Sequence, residues 1–399
     1  MSKIKEITAK EIKDSKGRPT VEVTLETEKG SFVASCPSGV STGENEALEL
    51  RDEDGGVSKA IENIHKIIAP KLKGKDPQNQ RELDELMIAL DGTEHKSKLG
   101  GNAILPVSIA ICRAGAAAKK VPLYQHISEI AGSDLGMPLP SFNFIEGGAH
   151  ADNDLDLQEF MVMPQKKLFS ENMILASNIF NNLQELMKTS YGEVGMGDEG
   201  GFTPKISKAE QALYLLKTAI GDSEANIAID AAASEFYKDG KYILEGKETS
   251  RTELLHFYED LAQRFPVISI EDPFAQLDWE GFKEMVQALV GTLIIGDDLT
   301  TTNIKKIKEA KSKNACNGVI IKPNQIGTVW EAIEAVNLVK SYGWKVMVSH
   351  RGGETMDDFI ADFAVGVGAD FIKAGAYTKE ERMVKYNRLL GIENELHKK

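Results

Sequence analysis

Between residues 4 and 35 apolar and polar positions alternate. In VEVTLETEKGSFVAS (21–35) they form two runs with a Lys-Gly turn between them, which predicts strands joined by a hairpin. The spacing then lengthens to that of amphipathic helices in VSKAIENIHKIIAPKL (57–72), QRELDELMIAL (80–90) and AILPVSIAICRAGAAAKK (103–120). Strands followed by helices predict an α+β unit. AGSDLGMPLPSFN (131–143) is rich in Gly and Pro and predicts a boundary, with domains over 1–134 and 135–399.

Past that boundary short β-branched runs recur: NIAID (226–230), PVISIED (266–272), TLIIGDD (292–298), GVIIKP (318–323), KVMVSH (345–350) and DFIKAG (370–375). Helical patterns lie between several of them, namely WEGFKEMVQALVG (279–291), TNIKKIKEAKSKN (302–314), VWEAIEAVNLVKSYG (329–343) and MDDFIADFAVGVGA (356–369). Strands apolar on both faces that alternate with helices predict a parallel sheet under a helical cover. Over this length the expected form is α/β, a closed (β/α)8-type barrel. An open doubly wound sheet is the alternative, but no Gly-rich phosphate loop follows the first strand.

Composition narrows the function classes. The chain has 399 residues, 42% of them apolar and 27% charged, with a net charge of −14. Such a balance opposes nucleic-acid binding, which needs a basic face, while leaving room for a small phosphorylated substrate. Cys36, Cys112 and Cys316 are scattered, without metal or disulfide spacing, and imply a reducing, cytoplasmic setting. The charged N-terminus reads as no signal peptide, and the apolar stretches read as too short to span a bilayer. His65, His95, His126, His256 and His397 read as surface residues.

The candidate chemistry sits where the six runs end: Asp230, Glu271, Asp297, Lys322, His350 and Lys373. Any one of them could simply cap a loop. Six in phase, at the strand ends that share one barrel mouth, predict an active site. Three carboxylates without a Cys or His cluster suit a hard cation such as Mg2+. Two lysines in one mouth are expected to depress each other's pKa and supply a base. A metal with a lysine base suits removal of a proton from carbon next to a carboxylate.

SGVSTGENEALELRD, LDGTEHKSKLGGNAIL, GGAHADNDLDLQEFM, GDEGGFTP, DAAASEFYKDGKY, SIEDPF, GDDLTTTN, IKPNQIG and SHRGGET, in this order, resemble the signatures of the enolase family from about residue 3 to 395. The resemblance implies an N-terminal α+β capping domain on a catalytic barrel, and Mg2+-dependent conversion of 2-phosphoglycerate to phosphoenolpyruvate. It implies two Mg2+ sites, the first held by Asp230, Glu271 and Asp297 and the second assembled with substrate through Ser41, with Asp298 behind the ligands. Lys322 is implied as the base at C2 and Glu199 as the acid at C3, assisted by Glu159, with one proton shared between those two carboxyls. Gln158 and Lys373 bind substrate, His150 lies on a lid, and His350, Arg351 and the position of Gly352 surround the phosphate.

The chain departs from the family at several points. Gly352 stands for a phosphate-binding serine, Glu146 for an asparagine, Ala374 for a threonine, and Gly391 for an arginine that pairs with Glu22 across a dimer; Lys16 and Arg18 alter another motif. A raised KM and a weakened homodimer follow as expectations. Two other readings compete: a superfamily enzyme acting on a different carboxylate, and a binding protein that kept the fold. The second would have lost Lys322 or Glu199, and both are present. The terminal Lys398-Lys399 reads as a solvated end rather than a docking signal.

Overall fold

The computed structural model describes residues 2–39 and 45–398. Ser41 therefore lies outside the described residues. Strands β1 (Glu6–Lys13), β2 (Pro19–Thr27) and β3 (Gly30–Ser35) form an antiparallel sheet in that order. Val21, Val23 and Leu25 point to its buried face, as the alternation predicts. The helix Gly101–Lys119 packs on β2 and β3, flanked by Gln80–Asp91 and by Leu123–Ala131, a helix that the sequence reading does not identify.

Two expectations are corrected here. Gly101–Lys119 is long and apolar enough to cross a membrane, contrary to the reading of the apolar stretches, but 83% of its apolar window is buried inside the protein. Its hydrophobicity on all sides is that of a core helix. His126 is fully buried rather than on the surface, set against Gly115 of that helix, and burial drives its pKa down to about 4. His126 lies on the buried face of Leu123–Ala131 with Tyr124 and Ile127, while Glu129 is exposed; the sequence reading does not identify the helix, and so not its buried face either.

The rest of the chain builds a closed barrel from β4 (Leu139–Glu146), β5 (Glu159–Pro164) and β6 (Ala225–Asp230), then β10 (Val267–Glu271), β11 (Leu293–Gly296), β12 (Gly318–Ile321), β13 (Lys345–Ser349) and β14 (Phe371–Lys373). The three short strands between, β7 (Tyr237–Lys238), β8 (Lys241–Leu244) and β9 (Lys247–Thr249), form a separate sheet. All six predicted runs are barrel strands. The barrel is not wholly parallel, however: β5 runs antiparallel to both β4 and β6. Antiparallel neighbours need no crossover helix, so β4 and β5 lack the strand–helix rhythm that marks the others.

Inside the barrel Met161, Met163, Ala228, Ile295, Ile320, Met347 and Phe371 form an apolar plug. Side chains along a strand alternate between faces, so the next inward position toward the mouth is two residues on. Those positions are Asp230, Asp297, Lys322, Ser349 and Lys373. On the reversed strand β5 the same step from Met161 leads back to Glu159. One polar layer thus caps the plug, and strand reversal is what brings Glu159 into it.

Candidate active site

Lys373 stands at the centre of that layer. Its Nζ lies 2.8 and 2.9 Å from the two Glu271 oxygens, 3.2 Å from Asp230 Oδ2 and 3.3 Å from Glu159 Oε2. Burial alone would push this ammonium down, but Glu159, Glu271 and Asp230 outweigh it and hold its pKa well above the ordinary lysine value. Across the mouth Lys322 Nζ is bonded to Asp297 Oδ2, while Gln325 Nε2 donates to Asp297 Oδ1 at 3.0 Å. Burial presses Lys322 down and the Asp297 carboxylate pulls it up further, leaving it above the ordinary value. The expectation of a depressed lysine is corrected: its nearest charge is a carboxylate, not the second lysine.

The third group surrounds Glu199, on the loop between the helices Phe169–Tyr191 and Ala209–Ile220. His350 Nε2 is 3.2 Å from Glu199 Oε2, and Asn143 Nδ2 donates to the same oxygen at 3.3 Å. Arg382 Nη1 lies 2.5 Å from His350 Nδ1. An arginine can only donate, so Nδ1 accepts and the imidazole proton resides on Nε2, aimed at Glu199. Burial keeps His350 neutral, with its pKa down to about 4. The loop turns at Gly200, φ +91°, where a Cβ would meet Thr378 Oγ1 at 2.2 Å; only glycine fits. His150 completes the group, its Nδ1 3.5 Å from Glu159 Oε1.

Glu159 and Glu199 differ in charge state. Burial and then the Glu199 charge raise Glu159 well above the carboxylate range. Burial acts the same way on Glu199, but His350, His150 and Arg382 outweigh it and hold Glu199 well below that range. Of the two carboxyls, Glu159 is the one pushed toward its protonated form.

Arg351 is buried with its Nη1 2.8 Å from Glu46 Oε2 and 3.3 Å from Asn324 Oδ1. Gly352 follows at the pocket wall, and its carbonyl accepts from Arg382 Nη2 at 2.9 Å. Gln158 Nε2 reaches Asp230 Oδ2 at 3.4 Å. One pocket is thus lined by His150, Gln158, Glu159, Glu199, Asp230, Asp297, Lys322, His350, Arg351, Gly352 and Lys373. Glu271 touches it through Lys373.

The donor set fits a hard divalent cation. Asp230, Glu271 and Asp297 offer only oxygen from neighbouring strand ends. Asp272, Asp297 and Asp298 bring carboxylate oxygens within 4.8 Å of one another. Burial pushes Asp298 up to about 7, with Asp297 next in effect, and raises Glu271 and Asp272 well above the carboxylate range. Carboxyls forced toward their protonated forms in this way would be relieved by a cation. Asp272 also accepts the backbone N–H groups of Asp297 at 3.1 Å and Asp298 at 2.6 Å, so it orients that turn.

Sequence reasoning did not single out Glu46, Asn143, Asp272, Gln325 or Arg382. Asp272 stands beside Glu271 in SIEDPF and could have been found by adjacency. Arg382 carries no local signal, lying on the helix Glu380–His397 far along the chain from the loop it holds. Two family models match the chain: residues 4–127 match one described as enolase, N-terminal domain, and residues 134–399 match one described as enolase, C-terminal TIM barrel domain.

Proposed function

The chain belongs to the enolase family, and on that premise we propose that it catalyses the Mg2+-dependent, reversible removal of water from 2-phosphoglycerate to give phosphoenolpyruvate. A lyase-type enzyme of the enolase superfamily is what the two matched domains indicate; the substrate and the metal are our reading. The observation that carries it is that two separately paired proton-handling groups line one pocket. Lys322 is paired with Asp297, and Glu199 with His350, near Glu159.

In this reading Lys322 Nζ, as the neutral amine, takes the C2 proton, and the electron pair left behind moves into the substrate carboxylate. Collapse of that charge breaks the bond from C3 to its hydroxyl oxygen while Glu199 delivers a proton, so that water leaves. Asp230, Glu271 and Asp297 would hold Mg2+, which when bound supplies positive charge against the doubly negative carboxylate. Asp297 is also the carboxylate that keeps Lys322 protonated, so sharing it with a cation frees the lysine to act as a base. Glu199 needs a proton, and Glu159, the carboxyl pushed toward its protonated form, lines the same pocket. Arg351, His150 and Lys373 supply positive charge or hydrogen bonds for phosphate and carboxylate. A cytoplasmic, homodimeric enzyme belongs to the same proposal; its three cysteines are free and buried.

Formation of the ultraviolet-absorbing enol phosphate from 2-phosphoglycerate, with and without a chelator, tests this. Turnover that stops on chelation and returns with Mg2+ is expected. Gly352 and the Glu46–Arg351 pair favour a second reading, in which another carboxylate is the substrate. Preference for an unphosphorylated hydroxy acid over 2-phosphoglycerate would select it.

A further inference from the structure

Glu146 is the last residue of β4 and is completely buried. The register of β4 on β5 shifts between Asn143 and Ile145, and the extra residue turns Glu146 inward opposite Glu159. Its Oε1 accepts the backbone N–H of Gly201 at 2.6 Å and of Glu199 at 3.1 Å, and its Oε2 lies 3.2 Å from the same Glu199 nitrogen. A Cβ at Gly197 would fall 2.3 Å from Oε2, and one at Gly201 3.1 Å from Oε1. Glycines at both places let the carboxyl group lie directly against the loop backbone. The main chain of Glu146 binds the flanking loops as well: its N–H donates to Phe202 O at 2.9 Å, and its carbonyl accepts from Asn153 Nδ2 at 2.9 Å.

The charges around it are of one sign. Glu199 and Asp198 face it from the loop, and Glu159 from β5. The nearby cations are committed elsewhere: His350 and Arg382 to the Glu199 side, Lys373 to Glu159, and Lys16 and Lys379 to the side chain and carbonyl of Asp198. His150 lies beyond, against Glu159. Among the described residues no lysine, arginine or histidine forms an ion pair with Glu146. Its two oxygens are met by backbone N–H groups alone, the anchoring points of the residue that carries the acid. Burial, then the Glu199 charge, pushes Glu146 up to about 8.

We propose that Glu146 is a positioning residue for the proton donor: its carboxyl group holds the Glu199 and Gly201 backbone in place, and its charge sets how firmly Glu199 keeps the proton it delivers. This rests on the acid role given to Glu199 above. Once ionised as pH rises, Glu146 opposes ionisation of Glu199 beside it and so favours the protonated acid on the alkaline side. The loop carrying the donor thus has a titratable foundation, and dehydration is coupled to it while proton removal at C2 is not.

The test is kcat against pH for the Mg2+-loaded protein, with deuterium exchange at C2 followed in parallel. Glu146→Gln keeps the acceptor and removes the charge, so the alkaline limb of kcat should move about one pH unit lower. Exchange at C2 should stay within about twofold, because Lys322 is untouched. Glu146→Asp keeps the charge and shortens the reach; kcat should fall about tenfold or more at every pH with the limb in place. An unmoved limb in Glu146→Gln overturns the proposal, as does an equal fall of exchange and dehydration. Glu199→Gln separates the two readings. If it still dehydrates, the acid assignment has failed; if it does not, and Glu146→Gln matches wild type, only the role of Glu146 has failed. Should Glu146→Gln not fold, 13C spectra of glutamate-labelled protein decide. A carboxyl titrating near neutrality, with a midpoint that drops in Glu199→Gln, supports the coupling, and its absence overturns it.

Discussion

Single residues lining one pocket are assigned separate halves of the reaction. Lys322→Ala should abolish exchange of the C2 proton with heavy water, because among the described residues the pocket's other amine, Lys373, is held by the Glu159, Asp230 and Glu271 carboxylates. Glu199→Gln should stop dehydration and leave that exchange running. Normal exchange in Lys322→Ala would remove the base assignment. Gly352 lines the pocket wall proposed for the phosphate without a side chain, and its carbonyl is held by Arg382. A hydroxyl restored by Gly352→Ser adds a hydrogen bond to a charged group, worth roughly 1.5–3 kcal/mol, so KM should fall about tenfold or more. An unchanged KM would leave the phosphate shell complete without it. Asp230, Glu271, Lys322 and Lys373 were legible in the sequence because each lies at or just past a strand end, where hydrophobic periodicity stops and a charged residue begins. Glu199, Glu159 and Gly352 were legible only through the family resemblance. The charge states were not. Lys322 next to Lys373 suggested mutual depression, whereas the distances put Asp297 and three other carboxylates nearer.

At the scale of elements, six strands could be read from their rhythm and two could not. β4 and β5 are apolar, adjacent and antiparallel, so among the described residues only a short 3-10 turn, Gly148–His150, separates them. The reversal of β5 decides how the acid side is built, since it places the first residue of a strand, Glu159, at the mouth where others place their last. The helix Glu380–His397 does comparable work from outside the barrel. Arg382 donates to the carbonyls of Arg351 and Gly352, and Lys385 Nζ donates to Thr355 O at 2.6 Å and pairs with Glu354 Oε2 at 2.7 Å. Glu354 in turn accepts the Arg351 N–H at 3.1 Å. Lys385→Met leaves Glu354 buried without its ammonium, which should cost roughly 3–5 kcal/mol. Urea denaturation measures it, and KM should rise as the Arg351 loop loosens. A loss under about 1 kcal/mol would mean that Glu354 finds another partner or takes up a proton.

Across the whole molecule, several buried carboxyls hold their protons more firmly than exposed ones do. Glu146 is pushed up to about 8, and Asp84 and Asp298 to about 7, with burial the leading cause in each. These folded-state values lie above the unfolded ones, so the folded chain binds protons that the unfolded chain releases, and stability falls as pH rises through them. His126 and His350, driven down to about 4, act in the opposite sense, but their contribution is complete once pH exceeds 6.5. Between pH 6.5 and 8 the melting temperature of metal-free protein should therefore drop by roughly 5 °C, and Mg2+ should remove only the part due to Asp298, since Glu146 and Asp84 lie outside the acidic cluster. A curve that rises over this window would contradict the assigned shifts. The expected weakening of a dimer gains a specific cause. Glu22 pairs with Lys10 within its own sheet at 2.8 Å, and Arg388, the nearest substitute for the missing arginine at Gly391, is bound to Asp362 at 2.7 Å and Glu395 at 2.9 Å. Sedimentation on dilution should show dissociation at micromolar concentration or above, and a dimer intact at nanomolar concentration would refute it. The clamp formed by Arg382 and Lys385 also bears on how the enzyme comes into being. The barrel closes by pairing β14 with β4, and the loop of the phosphate side is tied down by a helix that follows β14 in the chain. Synthesis proceeds from the N-terminus, so most barrel strands and their carboxylates are made before the helix Glu380–His397 that ties this loop down. The order of the Arg351 loop therefore waits on the docking of that helix.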